Sequence, residues 1–232
     1  LEMDVDFFEP KTSLGKNIQC LTMTDSFFRK KKIDSTKQSL LKNFLTFNGI
    51  PIQYMDQVHG RSIEKVDCHK TFAIPETDGL LSSSSDLALA VFSADCMPIA
   101  ISKKDGTEFA VVHAGWKGLF AGVIEACLDA FSSDSSNLNA WIGPSISKKN
   151  YEVDQDLYDA FFAKNTKSKS NFSKQDMNKW CFDLQGEATR ILRDFGVDVQ
   201  HSEICTYDSE IMYSFRKKET EKRMITIIWR NE

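Results

Sequence analysis

The stretch LALAVFSADCMPIAISKKDGTEFAVVHAGWKG, residues 87–118, decides the fold. It contains three apolar runs of strand length, Leu87 to Phe92, Pro98 to Ser102 and Phe109 to His113. Lys103-Lys104-Asp105-Gly106 between the last two has hairpin-turn chemistry, so these runs read as neighbouring strands that carry Cys96 and His113 side by side. From Gly118 to about Phe131 the period changes. Leu119, Val123, Ala126, Cys127 and Ala130 fall on one helical face, which makes Cys127 a core residue.

Upstream, Ile50 to Val58 reads as a strand that delivers His59. A helix is expected from about Ser35 to Asn48, with Leu40, Leu41, Phe44, Leu45 and Phe47 near helical spacing and Asn48-Gly49 before Pro51 as its stop. Residues 1–35 signal weakly. Phe7-Phe8 and Ile18 to Thr22 are candidate edge strands, and Lys30 to Asp34 a polar turn. Downstream, Ala140 to Pro144 turns into a loop. Helices follow around Gln155 to Ala163 and from Asp183 to Phe195, the second stopped by Gly196. Lys164 to Lys174 between them is polar and reads as a mobile loop. Strands near Ile204 to Tyr207 and Met224 to Trp229 come last.

The chain has 232 residues, a length ordinary for one domain, and no repeat or low-complexity tract divides it. With 41% hydrophobic residues, 27% charged and a net charge of -4, it has a soluble composition and no basic excess for nucleic acid. Lys30-Lys31-Lys32 and Lys217-Lys218 read as solvated surface. No run approaches the ~20 apolar residues that cross a bilayer, and the start lacks a signal-peptide layout, so a cytoplasmic location is expected. The six cysteines show no Cys-x-x-Cys spacing, which argues against a zinc knuckle or a disulfide scaffold. Leu1-Glu2 before Met3 reads as a vector remnant.

His59, Cys96 and His113 each sit where an apolar run gives way to a tight turn, so three segments can bring nitrogen, sulfur and nitrogen to one edge. Three ligands leave a fourth position open, as catalytic zinc requires. Spacing alone also allows a turn-capping His59, a buried Cys96 thiol and a hydrogen-bonded His113. A thiol hydrolase would use the same residues differently, with Cys96 as nucleophile, His113 as base and Asp95 or Asp78 as orienter. His69 and His201 have no comparable setting. A multidomain copper laccase needs about ten histidines in His-x-His pairs; this chain has four, none so paired. Met97 points to the opposite face from Cys96, which disfavours a blue-copper site, and the zinc base-deaminase strings are absent.

The strings Gln57-Val58-His59-Gly60, Thr77-Asp78-Gly79, Ser93 to Pro98, His113 to Gly118 and Ile142 to Ile146 occur in order from about residue 50 to 160. Cys205-Thr206 and Ser214-Phe215-Arg216 follow more weakly. The set resembles the YfiH-type purine nucleoside phosphorylase family, also called the polyphenol oxidase or laccase-domain family. The resemblance implies an α+β fold, a single-domain four-layer αββα sandwich with mixed sheets over residues 1–232. It implies zinc on His59, Cys96 and His113, with copper as the alternative metal. It also implies phosphorolysis of adenosine, inosine and methylthioadenosine together with adenosine deamination; copper-dependent oxidation of phenols and a degenerate metal-binding member are the alternatives. The partners are then purine nucleosides and phosphate, with no nucleic acid and no membrane. Asp78 and Asp95 are the candidate catalytic carboxylates. Lys117 and Arg216, then Arg61, are candidate phosphate cations, and Gln57 and Ser145 candidate hydrogen-bonding partners of base or sugar. The chain departs from the family at Lys117, where arginine is usual. It also lacks a glycine in Lys217 to Lys222 and a Gly-Gly-x-Ser string in residues 15–35.

Overall fold

In a computed structural model that describes residues 4–218 and 221–232, two six-stranded sheets lie face to face with helices on both outer sides. Leu1-Glu2-Met3 and Glu219-Thr220 of the 217–222 loop lie outside the described residues. The first sheet runs β1 (Phe7–Phe8), β2 (Ile18–Met23), β15 (Met224–Arg230), β7 (Ala88–Ser93), β4 (Ile50–Gln53), β3 (Thr46–Phe47). The second runs β14 (Asp198–His201), β10 (Leu138–Ile142), β8 (Met97–Lys103), β9 (Phe109–Ala114), β6 (Gly79–Ser82), β5 (Ile63–Lys65). Both are mixed: β4 with β7, β10 with β14 and β5 with β6 are parallel, and the other pairs antiparallel.

Strand alternation explains the layers. In β7, Leu89 and Val91 join Ala100, Phe109, Val111, Trp141 and Ile228 in the core between the sheets. Ala88, Ala90 and Phe92 face the other way, against α1 (Asp25–Lys31) and α2 (Lys37–Asn43). Met97, Ile99, Ile101, Ala110 and Val112 form a third core beneath α3 (Trp116–Ala121), α4 (Val123–Ala130), α5 (Gln155–Lys164) and α6 (Leu184–Asp194). The result is the four-layer αββα sandwich. Over the outer end of this third core lies a small antiparallel sheet of β11 (Glu152–Asp154), β13 (Lys179–Phe182) and β12 (Phe172–Asp176).

The central hairpin is as read, with Pro98 opposite His113, and Cys127 lies on the buried face of α4. Several boundaries differ for identifiable reasons. Asn48 (φ 51°) and Gly49 (φ 81°) are both left-handed and turn a β3–β4 hairpin, so α2 stops at Asn43 instead of running to Asn48. β4 ends at Gln53, well before Val58. Lys30 and Lys31 close α1, where basic residues meet the helix C-terminus, and are no turn. Gly122 at φ 91° divides the expected single helix into α3 and α4.

Lys164 to Lys174 is not a mobile loop: a 3-10 turn over Thr166–Asn171 leads into β12, and Ser168 and Asn171 donate to the buried Glu187. Ile204 to Tyr207 forms only an isolated bridge between Cys205 and Ser145. β2 is interior, flanked by β1 and β15. Among the described residues no helix is long and apolar enough to cross a membrane.

Candidate metal centre

The centre sits at one end of the space between the sheets. β7 ends at Ser93, the chain turns through Ala94 and Asp95, and Cys96 precedes β8. Met97 pairs with Ala114, and Pro98 with His113, one step before β9 ends. Parity places Cys96 on the face shared by Pro98 and Ala100, and His113 on that of Val111 and Phe109, both toward the inter-sheet core.

Asp78, fully buried just before β6, brings the third donor in. Its carboxylate accepts the amides of Val58 (3.2 Å), His59 (3.0 Å) and Gly60 (2.6 Å), fixing a loop in which His59 takes φ 61°. The same carboxylate bonds His113 Nδ1 at 2.9 Å, and its main-chain carbonyl accepts the His113 amide at 2.7 Å. A histidine held through Nδ1 presents Nε2, the arrangement of metal-ligating histidines with a carboxylate behind them.

The ligand atoms of His59, Cys96 and His113 all lie within 4.8 Å of one another. The two imidazole rings meet edge to face with centroids 4.7 Å apart. Gly115 completes the cradle: a Cβ there would stand 2.8 Å from Cys96 Sγ and 3.1 Å from His59 Cδ2. His113 is 4% exposed and His59 is exposed, so the site is walled on one side and open on the other.

The electrostatics favour a thiolate. Burial pushes the Cys96 thiol up, but hydrogen bonds from His113 and His59 outweigh it and bring the pKa down to about 6. Burial opposes charge on His113, yet Asp78 and Cys96 raise it to about 9. Asp78 lies below the usual carboxylate range because His113 and the loop amides overcome its burial. A soft sulfur flanked by two imidazoles is a donor set that a transition metal such as zinc or copper can accept.

The remaining sequence candidates divide. Asp95 Oδ1 accepts from Thr206 Oγ1 at 2.7 Å; Oδ2 accepts from Ser214 Oγ at 3.0 Å and the Arg216 amide at 2.7 Å. Gln57 is committed to the Phe92 backbone, accepting its N–H at 2.9 Å and donating to its carbonyl at 2.8 Å. Ser145, fully buried, accepts from Gln185 Nε2 at 2.7 Å. Arg216 stacks over Tyr151 at 5.1 Å and donates to the Glu152 carbonyl at 3.2 Å. Lys117 lies over its neighbour Trp116 at 5.7 Å, and Arg61 is exposed near Gly122.

Two residues near Cys96 escape sequence reading. Arg223 is depressed chiefly by burial and feels the charges of Cys96 and Asp95; burial pushes Tyr151 up, and Cys96, Arg216 and Asp95 act on it as well. A lone arginine before an apolar strand is a faint signal. Tyr151 follows Lys148-Lys149-Asn150 in what reads as loop.

Fold and donor set together define a class: two-sheet αββα sandwiches with a candidate His-Cys-His metal site at the sheet ends. The family model described as multi-copper polyphenol oxidoreductase laccase matches residues 29–231. Purine nucleoside phosphorylase YfiH of Escherichia coli (strain K12) is 34% identical over 178 residues, covering 76% of this chain and 72% of that protein. Purine nucleoside phosphorylase RC0672 of Rickettsia conorii is 34% identical over 175 residues, 74% and 72% of the two chains. The crystal structure of a Neisseria meningitidis protein of family DUF152 superposes with a TM-score of 0.84 at 25% identity, covering 98% of this chain and 100% of that one. The chain belongs to this YfiH-type purine nucleoside phosphorylase and laccase-domain family.

Proposed function

We propose that the chain is a zinc-dependent purine nucleoside phosphorylase, acting on adenosine, inosine and methylthioadenosine, with adenosine deaminase activity. The carrying observation is the His59, Cys96 and His113 donor set, converging within 4.8 Å with one histidine braced by a buried carboxylate. The names of the relatives support the substrate class. One such donor cluster occurs among the described residues, which fits zinc better than a multi-copper oxidase, and Met97 lies in the core beneath the helices. When bound, zinc supplies Lewis-acid polarisation at its open position.

In phosphorolysis a phosphate oxygen bonds to C1 of the ribose as the glycosidic C–N bond breaks and the purine leaves with a proton. Phosphate needs cations held in place. Arg216, steadied over Tyr151, is the principal candidate, and Arg223, which feels the charge of Cys96, together with Lys117 and then Arg61, are the others. Asp78 holds His59 and His113 in orientation, and its four N–H partners commit it to that task. Gln57 and Ser145 brace the walls through the Phe92 backbone and Gln185.

A second reading rests on the Cys96 and His113 pair itself, a thiolate beside an imidazolium with Asp78 behind it. This is the layout of a thiol hydrolase. Metal content by mass spectrometry on wild type and Cys96→Ala, together with phosphate-dependent adenine release from adenosine, separates the two. About one zinc per chain, lost in the variant with adenine release, supports the phosphorylase. Hydrolysis by metal-free protein that added zinc inhibits supports the thiol enzyme and refutes the proposal.

A further inference from the structure

Asp95 occupies an unusual place in the chain, one residue before Cys96, with φ 83° in the left-handed region that side chains rarely adopt. The conformation turns it into a junction. Its carbonyl accepts the Ile146 amide at 3.0 Å, and its carboxylate, in a residue 8% exposed, takes the three donors from Thr206, Ser214 and Arg216. Thr206 is tied in turn to the 145–146 loop, donating its amide to the Ser145 carbonyl at 3.1 Å. The Arg216 amide belongs to a 3-10 turn over Phe215–Lys217, which Ser214 caps through the Lys217 amide.

We infer that Asp95 is a positioning residue: it clamps the segment bearing Arg216 to the turn bearing Cys96. The inference rests on the reading of Arg216 as a phosphate ligand. The partner chemistry supports it. A main-chain N–H cannot reverse its polarity, so Oδ2 must be an acceptor at all times, whereas the Thr206 hydroxyl can turn round. Asparagine therefore preserves the clamp, its Oδ1 serving Ser214 and Arg216 and its Nδ2 donating to Thr206. Glycine suits the backbone at φ 83° and removes the clamp altogether.

The test compares zinc-loaded wild type, Asp95→Asn and Asp95→Gly by amide hydrogen exchange at Arg216 and Lys217, zinc content, and kcat and KM for phosphate. Loss of a charge-assisted hydrogen bond should speed exchange at Arg216 about tenfold or more in Asp95→Gly, with a similar rise in phosphate KM. Asp95→Asn should stay within about threefold of wild type in exchange, kcat and KM. Should the glycine variant fail to fold, Thr206→Val removes one anchor and should raise exchange at Arg216 in the same direction. Wild-type exchange at Arg216 in the glycine or valine variant overturns the clamp. So does an asparagine variant with wild-type exchange whose kcat falls more than about a hundredfold, since that marks Asp95 as a proton carrier. If wild type itself releases no adenine, the proposed function fails, and the exchange measurement alone decides the clamp.

Discussion

Replacing Gly115 by alanine tests the donor set without touching a ligand. Gly115 caps α3 at φ −82°, a conformation alanine adopts freely, so the backbone is not strained. The added methyl, however, falls 2.8 Å from Cys96 Sγ, about 0.6 Å inside the 3.4 Å at which ordinary contact begins, and 3.1 Å from His59 Cδ2. Sulfur and ring must both retreat. Metal sites tolerate about 0.2 Å in ligand distance, so a retreat of this size weakens coordination. The loss should resemble that from disturbed outer-shell partners, about 10- to 100-fold in zinc affinity, or ~1.4–2.8 kcal/mol. Competition against a chromophoric chelator measures the affinity, and a urea melt of the metal-free protein reports folding. Affinity within about twofold of wild type, with the fold intact, would refute the claim that Cys96 and His59 share a ligand with Gly115 as their floor.

Asp78→Asn leaves one acceptor oxygen and turns an N–H toward main-chain N–H groups, and should destabilise the metal-free protein by roughly 2–4 kcal/mol in urea. An unchanged midpoint would remove Asp78 as the organiser of the centre. Glu108 is buried; burial alone would raise it, but Ser132 and Lys65 hold its folded pKa below the ordinary 4.5. Its contribution is therefore complete above its unfolded pKa and is lost as pH falls through the folded one. Glu108→Gln should flatten the fall of Tm below about pH 5, where the wild-type carboxylate begins to lose its contribution, and a parallel-shifted curve would contradict this. Gly122→Ala, at φ 91°, should cost about 1 kcal/mol and lower Tm by roughly 2–4 °C; equal Tm would mean that the α3–α4 break does not need a left-handed residue.

The strands that carry chemistry were legible because burial on both faces leaves a long apolar run whatever surrounds it. Thus 88–93, 97–103 and 109–114 stand out in the sequence, and with them two of the three candidate ligands. Apolar spacing was ambiguous where a turn could serve two structures: Asn48-Gly49 ends a helix or turns a hairpin, and the capture of the Phe44 carbonyl by the Tyr54 hydroxyl at 2.7 Å helps settle it. Polarity misled at 164–174, since Ser168 and Asn171 look solvated until Glu187 is found buried beside them.

At the site, residue types pointed to His59, Cys96 and His113 without neighbours. The roles of Asp78 and Asp95 depend on partners distant in the chain, and no local pattern encodes those. Arg223 and Tyr151 were nearly invisible for the same reason: each feels the charge of Cys96 although far from it in the chain.

The position of β15 between β2 and β7 has a consequence during synthesis. All three candidate ligands are translated well before residues 224–230, a gap that takes roughly 5–20 s at ordinary elongation rates. Throughout that interval the first sheet lacks a central strand, and β2 and β7 each present an unpaired edge. A nascent chain therefore carries its soft thiol and two imidazoles, assembled by the second sheet, beside a cleft that invites strands from neighbouring polypeptides. A metal captured that early would meet a half-built sandwich whose two inner strand edges are still open to mispairing.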